Sequence, residues 1–173
     1  VEEASYGISQ ASVVDSDEKL QERIAFIHNH IQTDAIVEEY IDGREVYVGV
    51  MGTDRLKVLP TWEIDFNNMP DGSNKIATEK VKWDKKYQER HGIKWKRAEV
   101  DGAFEAKIAK LSKRIYRRLH LSGYARLDYR VSADGQCYLL EANPNPNIAQ
   151  NDEFATSARA IGLEYGPLID KIL

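Results

Sequence analysis

One stretch limits this chain more than any other: residues 123–148, GYARLDYRVSADGQCYLLEANPNPNI. Two runs with strand-like alternation flank Ala133-Asp134-Gly135-Gln136. Asp-Gly favours a two-residue type I′ hairpin turn, in which both central residues take positive φ. With Asp134 and Gly135 as the turn, Asp128 lies opposite Glu141 and Arg126 opposite Asn143. Side chains alternate across a strand, so these four share one face. The other face, Ala125, Leu127, Tyr129, Val131, Tyr138, Leu140 and Ala142, is the expected core face. A one-residue change in loop length would move these pairings.

Two carboxylates directly opposed across a ladder repel each other. A divalent cation would remove the conflict, and Asp128, Glu141 and the Asn143 carbonyl form an all-oxygen set suited to Mg²⁺ or Mn²⁺ rather than zinc. Arg126 beside them would offer a planar cation to a phosphoryl group or oxyanion. The competing reading is a hairpin with a solvated charged face whose Asp, Glu and Arg merely pair. After the strand, Asn143-Pro144-Asn145-Pro146-Asn147 must leave in an extended, irregular path, presenting backbone groups nearby.

The chain has 173 residues, enough for one domain or two small lobes. Its 24 Lys and Arg against 28 Asp and Glu give a net charge of −4, which offers no reason to expect nucleic acid as a general partner. No apolar run approaches a membrane span, so no membrane partner is expected. The single Cys137 excludes an intrachain disulfide and fits a reducing, cytoplasmic setting. The chain starts without Met, as if entering in mid-element.

Ser5-Tyr6-Gly7-Ile8-Ser9 has, by composition alone, the character of an ordinary turn. A helix capped by Ser16 or Asp17 follows, with Leu20, Ile24, Ile27 and Ile31 on its stripe. Residues 35–41 read as a short strand, a turn at Asp42-Gly43 follows, and 45–51 read as a second strand. A third, 56–64, is interrupted by Pro60. From 65 to 99 periodicity vanishes. Asn67-Asn68-Met69-Pro70-Asp71-Gly72 is turn-rich, and a basic stretch interleaved with Trp83, Tyr87 and Trp95 follows. That stretch reads as a single-stranded nucleic-acid surface or as a solvated loop with aromatics beneath it. Asp101 caps a long helix to about Leu121, with Phe104, Ile108, Leu111, Ile115 and Leu119 inward and a basic, solvated face outward. Helical stretches 153–161 and 166–173 close the chain.

RLDYRV followed by GQCYLLEANPNPNI resembles the closing metal-binding motif of the ATP-grasp superfamily, and within it D-alanine–D-alanine ligase-like domains. The resemblance implies an α+β ATP-grasp fold: an antiparallel-rich sheet with flanking helices, here with the amino-terminal part missing. Residues 1–41 would be the remnant of the small nucleotide-covering lobe and 42–173 the carboxy-terminal lobe with the metals. The family's upstream phosphate-binding lysine and substrate domain are not in this sequence, which therefore reads as a fragment. By resemblance, Asp128, Glu141 and Asn143 hold two Mg²⁺ ions, with Glu141 bridging. Arg126 steadies the acyl phosphate, and Asn147 stands where a Gly N–H serves the oxyanion site. Ser5 belongs to the phosphate loop. In EEYIDGREV, Glu38 meets the adenine amino group, Tyr40 and Ile41 wall the base, and Glu45 accepts the ribose hydroxyls. KVKWD resembles the lid motif, so Lys82 would contact phosphate, while Trp83 replaces a common Tyr and leaves D-alanine open as the substrate. The implied activity is ATP-dependent carboxylate–amine ligation through an acyl phosphate. Its partners are ATP and small carboxylate and amine substrates. The alternative is an isolated lobe that holds Mg-nucleotide and catalyses nothing.

Overall fold

The computed structural model describes residues 5–66 and 68–173. Residues 1–4, counted above in the first lobe, and Asn67, counted in the turn-rich stretch, lie outside the described residues. The chain divides into two units, Val1–Ile41 with Asp65–Lys94, and Asp42–Ile64 with Trp95–Leu173. One boundary thus falls after Ile41, and Asp65–Lys94 groups with the first unit, whereas the sequence reading counted it with the second.

The second unit is built on a six-stranded sheet. Its strands are β1 Arg44–Met51, β2 Lys57–Val58, β3 Trp62–Asp65, β4 Lys94–Arg97, β5 Tyr124–Val131 and β6 Cys137–Asn143. The order is β4-β3-β1-β5-β6, with β2 also on β1. β1 pairs antiparallel with β2, β3 and β5, and β5 pairs antiparallel with β6. The antiparallel-rich α+β architecture is the one expected. The stretch 56–64 breaks as Pro60 required: Val58 faces Val50, Glu63 faces Val46, and the Pro60 carbonyl accepts the Ser157 hydroxyl at 2.8 Å.

Alternation splits the sheet into two unlike faces. Val46, Val48 and Val50 of β1 and Ala125, Leu127, Tyr129 and Val131 of β5 pack with Ile108 and Tyr116 of α4, Gly102–Arg118. Asp101 caps that helix, accepting the Phe104 N–H at 2.7 Å. Ser112 and Tyr116 extend the predicted stripe because their hydroxyls find partners, Tyr129 Oη at 2.8 Å and the Gly52 carbonyl at 2.9 Å. Leu119, predicted inward, is half exposed, since the helix ends at Arg118. The basic face of α4 borders an open groove with Gln136 and Cys137. At one end of the other face, Met51 and Leu59 pack with Phe154, Ala155 and Ala158 of α5, Glu153–Arg159, and Leu168 of α6, Tyr165–Ile172. Gly49 makes this approach possible: a Cβ there would lie 2.8 Å from Leu59 and 3.0 Å from Phe154.

The hairpin differs from its prediction at two points. Ser132 N–H donates to the Gln136 carbonyl at 3.1 Å and Gly135 N–H to the Ser132 carbonyl at 2.9 Å, so the loop is Ala133-Asp134-Gly135. Only Gly135 takes positive φ, +78°, as in a three-residue loop closed by a bulge. The register near the turn is therefore Val131↔Cys137, Arg130↔Tyr138 and Tyr129↔Leu139, one residue off the prediction. A second irregularity between Asp128 and Tyr129 leaves Leu140 as the extra residue and restores Asp128↔Glu141 and Arg126↔Asn143. The slip also corrects the β6 core face: Cys137 and Ala142 pack inward, whereas Tyr138 and Leu140 are 43% and 50% exposed.

In the first unit, Ser16 caps α1, Asp17–Phe26, through the Lys19 N–H, and a π-helical turn, Ile27–Ile31, continues it. Leu20, Ile24, Ile27 and Ile31 are all half-buried. The predicted strand 35–41 does not form; Ile36 and Val37 are 84% and 57% exposed. β-branched residues extend the chain, but a strand needs a neighbour, and among the described residues no strand pairs with this segment. In the stretch without periodicity lie α2, Glu79–Trp83, capped by Thr78, and α3, Lys85–Arg90, capped by Asp84.

Candidate active site

On the face of the sheet opposite α4, the register brings Arg126, Asp128 and Glu141 together. Asp128 is buried and Glu141 is half exposed, its side chain at 54%. Arg126 Nε and Nη2 donate to the two Asp128 oxygens at 2.7 and 2.9 Å. Nη2 also lies 3.6 Å from Glu141, and Nη1 lies 3.8 Å from Glu153. Beneath the guanidinium is the Tyr47 ring, 5.1 Å from its centre, a cation–π support. Tyr47 and Glu153 were not found from the sequence. Tyr47 occupies β1 opposite Asp128, and that pairing follows from sheet order, which sequence alone did not supply.

The electrostatics follow from burial. It pushes the Asp128 carboxyl up to about 7, against the pull of Arg126, and nearby Glu141 adds to the rise. Burial opposes the Arg126 charge too, but Asp128, with Glu153 and Tyr47 adding to it, outweighs burial and the guanidinium is held more firmly protonated than usual. Burial, with Glu45 and Asp128 nearby, raises the Tyr47 phenol well above its ordinary value.

Among the described residues, no three His, Cys, Asp or Glu side chains form a metal-binding group. The expected set has only two carboxylates, and its third member is an amide. The set nonetheless suits a hard cation: two carboxylates are directly opposed, and one is raised by burial and the other's charge. Asn143 stands opposite Arg126, its Oδ1 accepting the Asn145 N–H at 2.9 Å. Asn147 likewise closes a local turn, accepting the Ala149 N–H at 3.0 Å, and its φ is not positive. Glu45 is buried, receiving the Tyr47 hydroxyl at 2.7 Å and lying 3.3 Å from Arg130.

The remaining predicted residues belong to the first unit. Ser5 takes φ +67° and its carbonyl accepts the Ile8 N–H at 2.9 Å, closing a turn over Tyr6 and Gly7. Gly7 N–H donates to Glu79 at 3.2 Å, and Arg23 donates to the Gly7 carbonyl and to Ser12 Oγ. Gln10 and Asn74 exchange hydrogen bonds at 2.9 and 2.8 Å, tying this loop to the segment that leads into α2. Lys82 is half-buried on α2; Glu38 and Tyr40 are exposed and Ile41 is half-buried on the irregular 35–41 segment.

Comparison with known proteins matches residues 2–173 to the family described as D-ala D-ala ligase C-terminus. An uncharacterised protein, y4sG, of Sinorhizobium fredii is 29% identical over 99% of this chain and 48% of its own length. A D-alanine–D-alanine ligase of Bordetella petrii is 31% identical over 81% of this chain and 40% of its own. The chain thus spans about half the length, or less, of the curated relatives it matches. In fold, it resembles the VanG D-Ala:D-Ser ligase of Enterococcus faecalis, with TM-score 0.74 and 24% identity over 98% of this chain and 45% of that one. It also resembles a D-alanine–D-alanine ligase of Bacillus anthracis solved with ATP, with TM-score 0.69 and 24% identity over 92% and 46%.

Proposed function

The chain belongs to the D-ala D-ala ligase C-terminus family, and on that premise we propose that it is the ATP-grasp part of an ATP- and Mg²⁺-dependent carboxylate–amine ligase. The observation that carries the reading is Asp128 directly opposite Glu141, with Arg126 on the same face. The family's activity gives each residue a task. Asp128 and Glu141 hold Mg²⁺, with the Asn143 carbonyl as a third oxygen. When bound, Mg²⁺ supplies charge neutralisation at the phosphoryl group being transferred.

The protein's own residues do the rest. Arg126, kept protonated by Asp128 and supported by the Tyr47 ring, binds oxygens of an acyl phosphate and of the oxyanion that follows amine attack. Glu45, through the Tyr47 hydroxyl, fixes the ring that carries Arg126, besides its assignment to the ribose. Asn147 offers backbone to the oxyanion. In the first unit, the loop at Ser5 and Lys82 are assigned to phosphate, and Glu38, Tyr40 and Ile41 to adenine. The acids and amines joined are small molecules, and Trp83 in place of the common Tyr points away from an obligatory D-alanine.

Titration with Mn²⁺ and with MgATP tests this. Glu141→Gln should weaken both about tenfold or more, because a carboxylate that would hold the metal directly costs at least what an outer partner does. Unchanged affinities would remove Glu141 from the metal site.

A further inference from the structure

Arg126 is largely enclosed, its side chain 13% exposed, so water replaces a lost partner only in part. Two of its edges are not equivalent. The Nε–Nη2 edge is fully engaged, donating to both Asp128 oxygens at 2.7 and 2.9 Å. Nη1 instead points toward Glu153 Oε2 across 3.8 Å, too far for a hydrogen bond. Among the described residues the Glu153 carboxylate has this one charged neighbour, and its side chain is 21% exposed. A strong partner therefore stands about an ångström beyond contact, on the side away from Asp128.

That spacing matters once a divalent cation is considered. A carboxylate gripped bidentately by a guanidinium has its best lone pairs taken, so arginine and metal compete for Asp128. The contest would leave either a weakly held metal or a buried arginine without a counter-charge. We propose that Glu153 is a positioning residue that receives the Arg126 guanidinium when a divalent cation takes Asp128 and Glu141. Arg126 pivots on the Tyr47 ring, Nη1 closes on Glu153, and the Nε–Nη2 edge is released to face a substrate oxygen. Metal and arginine then stand side by side instead of excluding each other. The inference rests on the metal reading of the preceding subsection.

A double-mutant cycle on the 173-residue chain separates this role from mere charge, read by Mn²⁺ affinity. Glu153→Gln, nearly isosteric, should weaken Mn²⁺ about tenfold, the scale of outer-partner losses. In an Arg126→Met background the same substitution should change affinity less than about twofold, because the residue it acts through is gone. An equal loss in both backgrounds makes Glu153 a charge felt directly by the metal and overturns the proposal, as does no loss in either. A second readout needs no variant: the Arg126 Nε–H should exchange with solvent faster when Mg²⁺ is added, and an unchanged rate also overturns it. Absence of Mn²⁺ binding by the unmodified chain would bring down the metal reading together with this one. Binding with an additive cycle would bring down this one alone.

Discussion

The two faces of the central sheet use the same strands for opposite ends. On the α4 side, Val46, Val48, Val50, Ala125, Leu127 and Tyr129 are at most 1% exposed, and what polarity there is, Ser112 with Tyr129, is internally paired. One residue along each strand, the other side buries Glu45, Asp128 and Arg130 with Tyr47 and a largely enclosed Arg126. The first face gains from every apolar group removed from water. The second removes charges from water, and its pairs do little more than offset that cost. Stability and chemistry are therefore segregated by the two-residue period of the strand, and a substitution's effect should depend on which side it strikes.

The largest effect should come from the dry face. Leu127→Ala should cost about 3–4 kcal/mol in urea unfolding, since the packed site has little room to collapse. Its Mn²⁺ affinity, measured where the variant is folded, should stay as in the unmodified protein. A comparable loss of metal affinity would show that the faces are not independent. On the polar face, Arg126→Met should cost about 3 kcal/mol by stranding Asp128, and adding Asp128→Leu should restore most of it. If the double variant is as unstable as Leu127→Ala, the ion pair is a net stabiliser and the contrast fails. The smallest effect is in pH. With Asp128 raised to about 7, protons compete with the metal below that value. Mn²⁺ affinity should fall as pH drops through 7, approaching tenfold, or about 1.4 kcal/mol, per unit. Without metal the sign reverses. The raised carboxyl favours the folded state below its ordinary value of 3.8, and that contribution is lost as pH rises through about 7.

What could be read in the sequence was what short-range chemistry decides. Ser16 and Asp101 each cap the helix expected of them, and β1 needed only its alternation and the turn before it. The facing of Asp128 and Glu141 was also legible, but through two departures that cancel, a three-residue loop and an extra residue at Leu140. Elsewhere the deciding neighbour was distant. Residues 35–41 have strand composition but, among the described residues, no strand beside them; α2 and α3, five and six residues long, are too short to show a period. Tyr47 and Glu153 join Arg126 only because β1 lies against β5 and α5 docks over Gly49. The resemblance to the family suggested candidate ligands but not what holds Arg126.

Leu140 has a consequence for comparing sequences. Because the strand absorbs the residue that the turn adds, chain length at the tip of the hairpin is uncoupled from the alignment of Asp128 with Glu141. A homologue that keeps the ladder from Asp128 to Ser132 but has a two-residue turn and no extra residue would present the same pair from a segment two residues shorter. The correct alignment would then place one gap at Ala133-Asp134-Gly135 and another at Leu140. A single merged gap would misassign the residues between and make an intact pair look lost.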